Sequence, residues 1–181
     1  LFAIGVLFMF TLGGFSGLMM GITPVDFQYH DTYFIVAHFH YVLVPGIVFG
    51  IVGGVYYWLP KWTGHMYDET LGKWHFWASA ISVNVLFFPM HFIGLAGMPR
   101  RIPDYGTQFT DWNMIISIGG FGFGLSQLLL VWVVVKCIRG GKKATNEVWE
   151  GAQGLEFTLS SPPPFHSFTT PPVVTNATAH S

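Results

Sequence analysis

Residues 34–59 read FIVAHFHYVLVPGIVFGIVGGVYYWL, a stretch without a single Asp, Glu, Lys or Arg. That exceeds the roughly 20 apolar residues an α-helix needs to cross the hydrocarbon core of a bilayer. Residues 1–22, 74–97 and 112–137 are comparably apolar. The whole chain is 51% hydrophobic and 9% charged, against roughly a quarter charged in a soluble domain. We therefore expect an all-α membrane protein with four transmembrane helices. The first span opens at Leu1 with neither Met nor a charged leader, which suggests a processed chain, a fragment or one piece of a split protein. The only cysteine, Cys137, reads as an unpaired helix-end thiol, which excludes a disulfide framework or a Cys-rich metal site. No basic cluster interleaved with aromatics points to nucleic acid.

The eight Lys and Arg residues orient the helices. Lys61 and Lys73 flank the second connection, and Lys136, Arg139, Lys142 and Lys143 follow the fourth span, so both regions and both termini belong inside. The first connection, TPVDFQYHDT, carries no Lys or Arg, but the third, GMPRRIPDYGTQFTD, holds Arg100 and Arg101 on the outer side. Such a doublet faces either a fixed anion or open water. Gly13, Gly17 and Gly21 recur every four positions, as do Gly46, Gly50 and Gly54, with Gly120 and Gly124 in the last span. These rows predict close helix packing. Pro45 and Pro89 lie inside the second and third spans and are expected to kink them unless neighbours satisfy the freed carbonyls. From about residue 138 the chain becomes polar and then Pro-rich, an extended strap outside the bilayer. The Asn176-Ala177-Thr178 sequon in it reads as chance.

Within the second span, His38 and His40 stand two residues apart, hence about 200° around a helix. One metal ion cannot use both, since shared ligation wants i, i+3 or i, i+4 spacing. The pair can instead offer one imidazole to each of two neighbours, each a haem iron, or it can hydrogen-bond across helices. With the helix starting near Tyr33, the histidines lie roughly 7–10 Å below its outer end. Haems held there would point propionates toward Arg100 and Arg101, whose guanidinium groups suit carboxylates. His30 and Asp31 lie above them, where Asp31 could take a hard cation that keeps its waters, or simply be solvated.

HDTYFIVAHFHYVL at 30–43, FFPMHFIGLAGMPRR at 87–101 and SSPPPFHSFTTPP at 160–172 together resemble the C-terminal third of subunit I of the cytochrome c oxidases, of the haem-copper oxidase family. The resemblance covers essentially the whole chain. It implies the last four of twelve transmembrane helices over 1–137, carrying haem ligands, and a polar, Pro-rich tail over 138–181. His38 then matches the axial ligand of high-spin haem a3, the catalytic position, and His40 an axial ligand of low-spin haem a, with Phe39 between them. Arg100 and Arg101 match residues that hold haem propionates. His30 and Asp31 match ligands of a magnesium ion, with Asp26 nearby. The implied activity is reduction of O2 to water with electrons from cytochrome c, coupled to proton translocation, in a mitochondrial inner membrane or bacterial plasma membrane.

The resemblance also implies what this stretch lacks. The ligands of copper B, the cross-linked tyrosine, the second low-spin ligand and the proton-uptake residues belong to the first eight helices. Those helices, subunits II and III, cytochrome c docked through subunit II, and membrane lipid are the implied partners. His65, His75, His91, His166 and His180 are too scattered to replace the copper ligands, and His91 reads as a packing histidine. Asp31, Tyr33 and Tyr41 follow the cytochrome c type rather than the quinol-oxidising relatives. The alternatives are that quinol form, or a haem-free structural or channel subunit.

Overall fold

The computed structural model describes residues 1–172. The sequon at Asn176 and His180 lie outside the described residues. Helix α1 is Phe2–Gly21, α2 Thr23–Tyr29, α3 Tyr33–Leu43, α4 Phe49–Thr63, α5 Glu69–Leu95 and α6 Thr110–Arg139. A π-helical turn, Val44–Val48, joins α3 to α4. Four segments are long and apolar enough to cross a membrane: Phe2–Gly21, Tyr33–Thr63, Glu69–Leu95 and Thr107–Arg139. Among the described residues there is no strand, only the isolated bridges Thr32–Pro99 and His65–Lys143.

The spans fall where apolar length predicts them, and their ends differ for local reasons. The second runs past residue 59, through Pro60, until the Gly64 N–H bonds the Pro60 carbonyl at 2.9 Å. Gly64 has φ +74°, the left-handed conformation that closes a helix and suits glycine. The third starts at Glu69, because a carboxylate in the first turn favours a helix N-terminus although it lowers hydropathy. Pro45 occupies the first turn of the π-helical segment, whose wider winding accommodates a ring that has no N–H to give. Helix α5 continues through Pro89. The short α2 was not foreseen, since TPVDFQY is too short for helical periodicity to register; its Pro24 and Asp26 suit a helix start.

The chain divides into two compact units. The first comprises Leu1–Gly54 and Thr70–Val131. Here α1 lies against α3 and the π-helical turn, and Phe34, Ala37, Tyr41, Phe49, Val83, Phe87 and Ile93 are buried. The glycine rows are used only in part. A Cβ at Gly13 would meet Tyr41 and Val42, whereas Gly21, Gly50 and Gly124 face nothing within 4 Å. Four residues advance a helix by about 400°, so a row drifts about 40° per step off any one neighbour. The closest backbone approaches are instead at Gly94 against Phe34 and Gly119 against Leu86.

The second unit comprises Val55–Glu69 and the described residues from Trp132 onward. Met66 N–H bonds the Lys142 carbonyl at 2.8 Å and Ala144 N–H the Gly64 carbonyl at 2.9 Å, joining the two lysine-bearing segments. Trp149 Nε1 donates to the Tyr57 carbonyl at 2.9 Å. Lys61, buried to 2% exposure, donates to the carbonyls of Asn146 at 2.9 Å and Leu159 at 2.6 Å. Residues 140–172 hold one short helical turn, Leu155–Thr158. Cys137 is a buried free thiol, its Sγ 3.1 Å from the His65 carbonyl.

Candidate functional site

Thr32 caps α3, its Oγ1 accepting from Phe34 N–H at 3.2 Å, and so fixes where the helix carrying both histidines begins. His38 turns toward α1. Its Nδ1 lies 2.7 Å from the Gly13 carbonyl, with Ser16 Oγ 3.1 Å away. A carbonyl only accepts, so Nδ1 carries the hydrogen and Nε2 keeps its lone pair. Gly17 makes room for the ring: a Cβ there would come within 2.7 Å of His38 Cε1.

His40 is seated differently. Its Nδ1 donates to the carbonyl of Val36, one turn back on its own helix, at 2.7 Å. The ring stacks on Phe87 of α5, with centroids 4.6 Å apart and planes 16° from parallel. Phe39 flanks it at 4.4 Å. Both imidazoles are half-buried, and each has one nitrogen tied to a carbonyl that fixes its tautomer and raises the basicity of the other. The two free Nε2 atoms, on different sides of α3, are donors of the kind a haem iron would take.

At the N-terminal end of α3 two loops pair. Tyr33 N–H bonds the Met98 carbonyl at 3.0 Å and Arg100 N–H bonds the Asp31 carbonyl at 2.9 Å. Arg100 Nε and Nη2 each stand 2.7 Å from Asp31 Oδ1. This hydrogen bond, more than the charge of the neighbouring His30, holds the Asp31 carboxyl below the ordinary carboxylate range. Asp31 and Arg101 both have positive φ, +55° and +61°. Side chains rarely adopt that conformation, which the paired loop backbone here imposes.

The sequence gives Asp31 to a cation and Arg100 to haem carboxylates; in the structure these two side chains bond each other. Arg101 is exposed and makes no ion pair with any described residue. Asp31 Oδ2 remains 3.3 Å from His30 Nε2. Ligands at about 2.1 Å from an octahedral Mg²⁺ stand about 3 Å apart on neighbouring corners, so the two atoms suit one edge of a site completed by waters or other groups. Among the described residues no group of three or more His, Cys, Asp or Glu could hold a metal ion, so His30 and Asp31 supply at most part of a ligand set. His91 packs against Phe34 at 5.1 Å, and His75 lies against Phe2 at 5.4 Å.

Sequence reading missed Phe87 and Gly17 as the groups that seat the imidazoles. The aromatic run FFPMHF does advertise a ring-rich face on the third span, but nothing in it selects His40 as its partner. The Asp31–Arg100 pair had a fainter signal, opposite charges in the first and third connections.

Comparison with known proteins places these features in context. A family model described as cytochrome c and quinol oxidase polypeptide I matches residues 1–122. Cytochrome c oxidase subunit 1 of Cereibacter sphaeroides is 47% identical over 170 residues, covering 93% of this chain and 30% of that protein. Its counterpart from Thermostichus vulcanus is 47% identical over 175 residues, covering 97% and 32%. That of Yarrowia lipolytica is 44% identical, covering 96% and 36%. The chain thus spans about a third of the length of the curated relatives it matches. A solved heme-copper terminal oxidase dimer is similar with a TM-score of 0.69 over 78% of this chain and 26% of that one. At 18% identity, that likeness concerns the fold alone.

Proposed function

The chain belongs to the cytochrome c and quinol oxidase polypeptide I family, and from that membership we propose that it is part of the catalytic subunit of a terminal respiratory oxidase. It is an all-helical, multi-pass membrane protein. The complete enzyme would reduce O2 to water with electrons from cytochrome c and translocate protons. When bound, haem a, haem a3 and copper B supply the electron transfer and oxygen reduction.

Within that chemistry this chain holds and orients. His38 Nε2 would hold the iron of haem a3 and His40 Nε2 that of haem a, from two sides of one short helical segment. Arg100 and Arg101 would receive haem propionates, with Arg100 also bonded to Asp31. His30 and Asp31 bind magnesium. Copper B would be held by the first eight helices of subunit I, where the family resemblance places its ligands. The first eight helices of subunit I, subunits II and III, cytochrome c through subunit II, and membrane lipid are the partners, in a mitochondrial inner membrane or bacterial plasma membrane. Asp31, Tyr33 and Tyr41, together with the relatives' names, support cytochrome c over quinol as the electron source.

The observation that carries this reading is the fixed tautomer of both imidazoles, each with Nδ1 donating to a main-chain carbonyl at 2.7 Å. The test is reduced-minus-oxidised spectroscopy of the purified complex carrying His38→Ala or His40→Ala. Each variant is expected to lose the signature of one haem and keep that of the other. Two unchanged haem signatures in both variants would sink the assignment.

A further inference from the structure

The end of α4 and the tail border an open cavity of about 350 Å³ lined by Trp58, Lys61, Trp62, Glu156, Leu159 and Ser167, which the redox reading does not use. Trp58 and Trp62 stand four residues apart on the last turns of the span, 39% and 56% exposed. Exposed indoles at a span end mark the depth where lipid headgroups meet water. With α4 spanning the bilayer, these indoles would set the cavity at headgroup depth.

Its charges select the ligand. Lys61 Nζ is fixed by its bonds to the Asn146 and Leu159 carbonyls, which use two of its three N–H groups and leave one to give. Glu156 is exposed, with Oε1 at 3.5 Å from Trp58 Nε1. One fixed cation and one carboxylate share the cavity, between indole faces that attract ammonium groups. An anionic headgroup would be opposed by Glu156, and a bare cation by Lys61. A headgroup that carries phosphate and ammonium together answers both.

We infer that this cavity binds a zwitterionic phospholipid headgroup, its phosphate toward Lys61 and Ser167 and its ammonium toward Glu156 and the indoles of Trp58 and Trp62. The site neither touches nor depends on the histidines of α3.

The experiment uses the complex purified through this chain and stripped of lipid in detergent. Native mass spectrometry follows binding as phosphatidylethanolamine or phosphatidylglycerol is added, to wild type, Glu156→Gln and Trp62→Ala. Wild type is expected to hold one more phosphatidylethanolamine than the variants, and Glu156→Gln to raise its half-saturation roughly tenfold. Phosphatidylglycerol binding should not respond to either change. Equal phosphatidylethanolamine retention in all three proteins overturns the inference, as does phosphatidylglycerol binding lost in the variants, which would mean an anionic-lipid site. A second measurement needs only wild type. A photoactivatable phosphatidylethanolamine should label peptides containing Trp58–Trp62 or Glu156–Ser167, and absence of label there also counts against the site.

Discussion

His38 and His40 differ by two positions on one helix and by the kind of support each receives. The His38 ring is held by a neighbouring helix: the Gly13 carbonyl takes its Nδ1 hydrogen, Ser16 lies beside it, and Gly17 has no side chain to push it away. The His40 ring is held mainly by its own helix, through Val36, and by the flat face of Phe87. The first seat depends on the register of α1 against α3. The second depends on α3 being helical and on one aromatic contact. A ring wedged between backbones has no room to adapt, whereas a stacked ring can slide.

Gly17→Ala tests the tighter seat and should have the largest effect. The added methyl would stand 2.7 Å from His38 Cε1, well inside the roughly 3.5–4.0 Å optimum for carbon contacts. Either the ring or α1 must move. Misplacement of a reacting group by about 1 Å can cost 100-fold, so turnover of the purified complex should fall at least tenfold. The high-spin haem spectrum should change while the low-spin spectrum stays normal. Wild-type turnover would mean that the ring is free to swing.

Arg100→Ala and Arg101→Ala separate charge from seating. A fixed positive charge favours the reduced, more negative haem, so its loss should lower both midpoint potentials on the order of 50 mV. Spectroelectrochemical titration reads this directly. If the arginines act through their field, both haems should respond, unlike the one-sided response to Gly17→Ala. Unchanged potentials in both variants would remove the arginines from the haem environment.

Phe87→Leu probes the looser seat. It keeps an apolar side chain of similar reach but removes the stacked face, at a cost of about 1 kcal/mol. The low-spin haem should show altered electron paramagnetic resonance, with turnover reduced less than in Gly17→Ala. If the high-spin haem is perturbed as strongly, the two seats are not independent and the contrast between them fails.

The legible and illegible parts of this molecule divide along the same line as the two seats. Membrane spans were legible because apolar length is a property of the segment alone, and 34–59 announces itself without any neighbour. The angle between His38 and His40 was legible because helical rotation is equally local. Gly17, Phe87 and the Asp31–Arg100 bond were not, because each depends on which residue of another segment arrives opposite. The glycine rows show the limit well: Gly13 and Gly17 meet α3, but Gly21 in the same row meets nothing within 4 Å. Spacing describes a stripe on one helix and leaves the partner's course unspecified. The π-helical turn at Val44–Val48 was similarly hidden, since Pro45 signals a lost hydrogen bond without saying how the helix will absorb it.

The smallest expected effect concerns Tyr41, next in sequence to His40 and buried to 1% exposure. Its hydroxyl donates to Asn84 Oδ1 of α5 at 2.7 Å, and Asn84 Nδ2 donates in turn to the Ala80 carbonyl at 2.8 Å. This bond fixes the rotation of α3 against α5 one residue from the stacked ring. Tyr41→Phe removes it and leaves Asn84 Oδ1 without its partner, a change worth about 0.6 kcal/mol for a hydrogen bond between membrane helices. Thermal unfolding of the complex should reveal that loss, and the low-spin resonance should remain as in wild type. If the resonance instead shifts as in Phe87→Leu, then rotation of the whole helix, rather than the aromatic face, orients His40. Both histidines would then be held by tertiary register, and only the identity of the neighbouring helix would distinguish them.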